Sequence, residues 1–314
     1  DNGGWPKNYD MQAILSAEQK DSLLLAKKIL NTTFDNRTTY SQIGYLAKAY
    51  SFIHKETYNE AVIKGLDFIL AAQFSNGGWP QYFPLEKDYS RHITFNDDAY
   101  TGIMYLLKDI TEGKPEYAFL DPIYKTKMQQ AFDKGLDCIL KTQINDAGKL
   151  TAWCQQYDEV SLEPAWARKF EPPSICNGES AEIVMFLMQI DNPNEKTIKS
   201  IQAAVKWFSD SKIYNTRVET FDAPQFESKY MTVTKDNRVV TDPTAAPIWT
   251  RYYELETEKP LFCDRDSKHL YSLAEVSRER RVGYAWYTYN PEKVLKKYPE
   301  WQKKWAPENN ILTK

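Results

Sequence analysis

A nine-residue segment occurs twice in this chain, 70 positions apart. Gly65-Leu66-Asp67-Phe68-Ile69-Leu70-Ala71-Ala72-Gln73 returns as Gly135-Leu136-Asp137-Cys138-Ile139-Leu140-Lys141-Thr142-Gln143. A worn third copy, Ala204-Val205-Lys206-Trp207-Phe208, stands 139 positions on from the first. The first copy runs into the turn Asn76-Gly77-Gly78-Trp79-Pro80, which has an earlier counterpart at Asn2-Gly3-Gly4-Trp5-Pro6. A helix-then-turn unit recurring about every 70 residues restricts the fold to an array of helical pairs, each burying its apolar face against its neighbours.

Taken in order, the apolar spacing predicts helices over Glu18–Leu30, around Ile43 to Tyr50, over Tyr58–Phe74 and over Ala99–Ile110. A further helix starts near Asp121 and Pro122 and runs through Leu140. Thr151 to Gly178 reads as a long irregular segment, the kind of loop that carries function. Ser180–Ile190 and Glu195–Phe208 form the next helices. Beyond them come a hairpin (Met231–Thr234 and Arg238–Thr241, turning at Asp236-Asn237), a short helix from about Ala246 to Leu255, and a closing helix over Glu292–Trp305. The fold class expected is mainly all-α: a partial α/α toroid, or incomplete α/α barrel, with long loops and a small β-hairpin at the mouth of the site. Equivalent repeats point the same way, so loops 76–98, 144–179 and 210–246 are expected to share that mouth.

The 314 residues show no composition shift or linker, and 9 Trp, 21 Tyr and 14 Phe suffice for a substantial core. One catalytic domain over 1–314 is therefore expected. A formal charge of -3 provides no global field, so neither nucleic acid nor a membrane is indicated as a partner, and attraction for a charged substrate must be local. The four cysteines lack C-x-x-C spacing and read as buried small hydrophobes, with a Cys154–Cys176 disulfide as the alternative. No signal peptide or apolar run of membrane length is visible, and the start at Asp1 inside the first motif reads as a mature or trimmed chain.

Three constellations fall in the expected mouth. Asn96-Asp97-Asp98 stands at a helix entrance, where one carboxylate can cap the helix and another project outward. Trp153-Cys154-Gln155-Gln156-Tyr157-Asp158-Glu159 offers a further carboxylate. Converging carboxylates and amide oxygens form a hard-cation site, most simply for Ca²⁺, although no local calcium signature is present. Arg217, Arg251 and Arg265, with Arg278, Arg280 and Arg281, would suit an acidic polymer. Between 251 and 281, however, seven Lys or Arg face seven Asp or Glu, so internal ion pairs could absorb many of them.

Through these pieces the chain resembles the family 10 polysaccharide lyases, the pectate lyases. The matching segments are Asn76 to Gln81, Thr94 to Ala99, Leu150 to Asp158, Ala246 to Glu254, Pro260 to Asp266 and Glu279 to Tyr287. They span almost the whole chain in order, with Tyr100 where Met is expected and Tyr157 where His is also common. The resemblance implies a calcium-dependent enzyme that cleaves polygalacturonate by anti-β-elimination. Asp97 and Asp158 look like the calcium carboxylates, Arg217 like the base, and Arg251 and Arg265 like binders of substrate carboxylates. Trp79 and Tyr157 are expected at the substrate too. The repeat agrees on Arg217, since subtracting 139 leads to Gly78 in the glycine turn. His92 and His54 read as packing or surface histidines. The substrate class implies a secreted or cell-envelope monomer acting on pectin oligosaccharides. Two other readings of the same residues are a glycoside hydrolase using Asp98 and Asp158 and a non-catalytic binder of acidic glycan.

Overall fold

The computed structural model describes residues 2–10 and 12–312; Asp1, from which a trimmed start is read, lies outside them. The chain is mainly helical, as expected. Its helices are α1 (Ala17–Ala26), α2 (Tyr40–Ile53), α3 (Glu56–Ala72), α4 (Ala99–Thr111), α5 (Pro122–Thr142), α6 (Asn177–Leu187), α7 (Glu195–Asp210), α8 (Arg278–Val282) and α9 (Asn290–Trp305). They fall in two compact units. One runs through Lys141 and takes in Asp158–Leu162; the other holds Thr142–Tyr157 and the chain from Glu163 on.

In the first unit α2 packs against α3 and α4. Val62, Leu66 and Ile69 of α3 and Ile103, Leu107 and Ile110 of α4 are buried, as their spacing requires. In the second unit α6, α7 and α9 pack on one another. A four-stranded antiparallel sheet lies in this unit, in the order His269–Leu270, Pro260–Cys263, Tyr252–Tyr253, Ile175–Cys176. Cys176 pairs with Tyr252 and Leu261 with Tyr252 on its other side, which fixes the chain around Arg251 and Arg265.

The repeated residues have identifiable tasks. Gln73 at the end of α3 donates its amide to the carbonyls of Gly77 and Ala131, the latter four residues before Gly135. Its copy Gln143 donates to Thr151 and Ser200, the latter four residues before Ala204. Each glutamine thus ties its own turn to the next repeated helix. The glycine turns dock on the same helices: a Cβ on Gly3 would lie 2.1 Å from the Lys64 carbonyl oxygen, and one on Gly77 2.0 Å from that of Lys134. Both glycines have positive φ, 91° and 96°. Only glycine meets both demands.

One closing bond recurs as well. The amide of Phe74 donates to Gly78, that of Ile144 to Ala152 and that of Ile213 to Ile248, and in each case the acceptor precedes a tryptophan, Trp79, Trp153 or Trp249. The indole N–H of Trp79 reaches the Ile69 carbonyl, and that of Trp249 reaches the equivalent Phe208 carbonyl. The structural counterpart of Gly78 in the third copy is therefore Ile248. The arithmetic that pointed to Arg217 does not hold, because residues 214–247 are an insertion within the closure.

That insertion holds the hairpin, in a register other than the one expected. Thr216–Glu227 pairs with Thr232–Thr241, so Arg217 faces Val240 and Asn237 faces Thr220 in mid-strand. The Asp236-Asn237 pair does not turn because its side chains are engaged elsewhere. Arg281 takes the Asp236 carboxylate through two bonds of 2.7 Å, and Asn237 bonds to Thr220 and to the Arg281 carbonyl. The turn lies instead at 228–231, where the Ser228 hydroxyl accepts from the Tyr230 and Met231 amides.

The expected helix at Ala246–Leu255 is also replaced, by the short strands Trp249–Thr250 and Tyr252–Tyr253. A short apolar run does not distinguish helix from strand by period, and aromatic and β-branched residues favour the strand. Leu23, Leu24 and Leu25 of α1 are exposed rather than core. All four cysteines are buried and free, with the Cys154 and Cys176 thiols hydrogen-bonded to each other rather than joined.

Candidate active site

In the second unit four arginines gather on two rings. The guanidinium carbons of Arg168, Arg265 and Arg280 lie 4.9, 5.1 and 4.6 Å from the Phe170 centroid. Those of Arg168, Arg251 and Arg280 lie 5.8, 4.7 and 5.8 Å from that of Tyr284. Arg265 also stacks at 3.5 Å on Tyr230 from the turn of the hairpin. Stacking on an aromatic face suits guanidinium, which is planar and weakly hydrated.

Three buried glutamates hold this group in place. Arg168 pairs through two nitrogens with Glu171, Arg251 with Glu179 at 3.0 Å, and Arg265 through two bonds of 3.0 Å with Glu279, which also accepts from Arg280. A phenol relay joins the first two pairs. Arg251 Nε donates to the Tyr252 hydroxyl, which meets the Tyr284 hydroxyl at 2.5 Å, and Tyr284 donates to Glu171 Oε1 at 2.7 Å. Burial pushes both phenols well above their usual range, so they remain neutral donors. Burial also acts to raise the Glu171 carboxyl, but the Arg168 hydrogen bond and charge outweigh it and hold Glu171 low. Arg265, bonded to Glu279, is held above its ordinary value, and so is Arg251 against its own desolvation, through Tyr252 and Glu179. Four guanidinium groups thus meet three glutamates around these two rings, with Asp264 beside Arg265; guanidinium is the side chain suited to two-point recognition of carboxylates.

The first unit provides oxygen donors. Asp97 and Asp98 both have left-handed backbone conformations, with φ of 51° and 59°, at the entrance to α4. Asn36 and Arg37, 61 positions earlier, repeat this with 51° and 62°. The two turns, Asp35–Arg37 and Asn96–Asp98, pack on each other, and Arg37 meets Asp98 at 3.6 Å. Consecutive non-glycine residues in this region cost about 1–3 kcal/mol each, a strain that gathers at functional sites. Asp35 is buried; one oxygen pairs with Lys7 and the other has no hydrogen-bond partner.

Asp158 sits with His92 and Glu159, their ligand atoms within 4.8 Å of one another. Its Oδ1 accepts from the Val160 and Ser161 amides, which keep its carboxyl low. Glu159 is already shared by Arg91 and by His92 at 2.9 Å. His92 is therefore more than a packing residue.

Calcium takes roughly six to eight oxygens. Among the described residues the group whose ligand atoms converge is His92, Asp158 and Glu159, which includes a nitrogen and a carboxylate already bonded to Arg91; Asp35, Asp97 and Asp98 stand on two turns in contact, but their carboxylates do not converge to that degree.

Of the expected site residues, Arg251 and Arg265 are brought together. Arg217 lies in the hairpin and pairs with Asp242 at 3.2 Å, sharing no ring with the arginine group. Trp79 and Tyr157 belong to the core, each 1% exposed. Trp79 packs edge-on against Tyr100, and the Tyr157 hydroxyl accepts from the Cys154 amide, so neither is available to a substrate. Arg280, named with the arginines of the third constellation, joins this group, whereas Arg168 and Asp35 were missed. Asp35 had a sequence signal in the parallel between Phe34-Asp35-Asn36-Arg37 and Phe95-Asn96-Asp97-Asp98; Arg168 had none.

The family model for pectic acid lyases matches residues 1–295. Among solved structures, a family 10 polysaccharide lyase from Cellvibrio cellulosa superposes with a TM-score of 0.81 at 27% identity, covering 96% of this chain and 88% of that one. An aspartate-to-alanine variant of such a lyase from the same organism, in complex with trigalacturonic acid, gives 0.80 at 27% identity over 98% and 89%. No curated protein sequence matches.

Proposed function

Because this chain belongs to the pectic acid lyase family, and is thereby a pectate lyase, we propose that it cleaves α-1,4-linked polygalacturonate by calcium-dependent anti-β-elimination with an arginine as base, the whole of 1–314 acting as one catalytic domain. The observation that carries this reading is the gathering of four guanidinium groups around Phe170 and Tyr284, the kind of cluster that would take the carboxylates of a polyanion. Neither a hydrolase nor a passive binder draws support from the family.

Arg251 and Arg265 bind substrate carboxylates and stay charged while doing so, since their glutamate partners and Tyr252 stabilise the cation. Asp97 and Asp158 are the carboxylates assigned to calcium, with Glu159 and His92 beside Asp158. Bound there, Ca²⁺ supplies Lewis acidity at the uronate carboxylate and so lowers the cost of removing the C5 proton. The base takes that proton, the electrons of the C5–H bond form the C4–C5 double bond, and the C4–O bond breaks, its oxygen leaving with a proton from solvent. The products are a reducing end and an unsaturated uronate.

For the base, Arg217 is the sequence candidate. A second reading is favoured by one observation, that Arg168 shares Phe170 with Arg265 and Tyr284 with Arg251. Neighbouring guanidinium groups favour loss of a proton from one of their number, while the two-nitrogen pair with Glu171 holds Arg168 charged, so this reading requires substrate to draw Arg168 off Glu171. The trigalacturonic acid bound by the Cellvibrio relative supports the substrate class, and that substrate implies a secreted or cell-envelope enzyme. The test is the near-ultraviolet absorbance of the unsaturated product from polygalacturonate. It should grow with calcium and stop with chelator; growth undiminished in chelator would refute the metal, and no growth with calcium would refute the lyase.

A further inference from the structure

The loop carrying Arg168 also carries Trp166, and the two side chains serve different places. Arg168 lies on Phe170 and Tyr284, whereas Trp166, 37% exposed, lines a cleft of about 510 Å³. That volume is within the range of small-molecule sites. His269 extends the aromatic surface, its ring 6.2 Å from the indole and tilted by 37°.

The turn after the Tyr252–Tyr253 strand provides the polar side of the cleft through Glu254, Glu256 and Thr257. Glu254 is fixed at both oxygens: the Tyr271 hydroxyl donates to Oε1 at 2.5 Å and the Thr257 hydroxyl to Oε2 at 2.6 Å. Those bonds also keep its carboxyl below the ordinary range. Glu256 and Glu258 have φ of 69° and 52°, left-handed conformations that the turn imposes on non-glycine residues. Neither Lys nor Arg is among the described lining residues.

An exposed indole edged by fixed acceptors suits a pyranose, whose C–H face lies on the ring while its hydroxyls donate to carboxylates. The same carboxylates oppose an ionised uronate, because like charges would stand together. We propose that the Trp166 cleft is a binding site for an uncharged pyranose unit and, on the lyase reading above, that this unit is a methyl-esterified galacturonate of the polymer whose free carboxylates the arginines take. On this assignment Trp166 reads esterification next to a group that demands free acid.

The test is an NMR titration of the full chain in chelator, which prevents turnover, following the Trp166 indole N–H as identified by its loss in Trp166→Phe. Fully methyl-esterified trigalacturonate should shift that resonance saturably. Free trigalacturonate should bind there at least about tenfold more weakly, and Glu254→Gln with Glu256→Gln should narrow the gap to under about threefold. Polygalacturonate cleavage by Trp166→Phe should stay within about twofold of native. No saturable shift with the ester, equal shifts with both trimers, or a large loss of cleavage in Trp166→Phe would overturn the proposal. If the native chain does not cleave polygalacturonate at all, the lyase reading falls, and the titration still decides the cleft.

Discussion

Arg251 and Arg265, which the structure brings into one arginine group, each sit in a dense motif, Trp249-Thr250-Arg251-Tyr252 and Cys263-Asp264-Arg265-Asp266, and so were legible as candidates. Arg168 could not, since it is a lone basic residue in an irregular loop and gains meaning only when Phe170 and Tyr284 fold beside it. Trp79 and Tyr157 show the converse limit: an aromatic residue in a motif reads alike whether it packs or binds. The base assignment is tested by substitution. Loss of a catalytic base costs roughly 10²–10⁴-fold, so Arg168→Ala should lower kcat by that order while Arg217→Ala stays within about tenfold, measured by initial rates at saturating substrate; the opposite pattern restores Arg217. Glu171 yields a pH prediction. Its folded-state carboxyl is held below the ordinary value of 4.5, so its stabilising contribution is complete above that value and is lost as the pH falls through the lower folded one. The thermal midpoint of the native chain should therefore fall on acidification below about pH 4.5. Glu171→Gln should already be less stable at neutral pH, by about 1–3 kcal/mol, and should decline less steeply in acid.

Among the elements, the repeated helices were the most legible, for a reason the structure supplies. The recurring Gln and Gly residues are there because each repeat must bond to the next, and those constraints are the same in every copy. What was illegible lies where the copies differ, in the hairpin and in the strands at Trp249–Tyr253, whose conformations depend on distant partners such as Arg281 on Asp236. Two substitutions test the linkage. Gly77→Ala combines a positive φ with a Cβ 2.0 Å from the Lys134 oxygen, and should cost more than about 3 kcal/mol in chemical denaturation, at the upper end for single substitutions. Gln143→Ala leaves the buried Thr151 carbonyl without its partner and removes the tie to Ser200, at about 1–3 kcal/mol for the unsatisfied group. A Gly77→Ala chain as stable as the native would show that the turn is not held against α5.

Across the whole molecule, a formal charge of -3 coexists with a local cluster of four arginines. On the proposed function a polyanion is drawn to one place by short-range charge, and the attraction should weaken once the screening length falls well below about 10 Å. Raising salt from about 0.05 to 0.5 M should increase KM for polygalacturonate several-fold and change kcat by less than about twofold; an unchanged KM would speak against the arginine group as the binding surface. The closing bond that precedes each tryptophan bears on the molecule as a whole. Residue separations of 4, 8 and 35 end in the same N–H to carbonyl bond. Because loop closure grows only with the logarithm of length, passing from 8 to 35 residues costs on the order of 1 kcal/mol. The closure therefore works as a mounting point for interchangeable cassettes: the span from Ile213 to Ile248 is where a foreign loop could be grafted to retarget the enzyme without redesigning its frame.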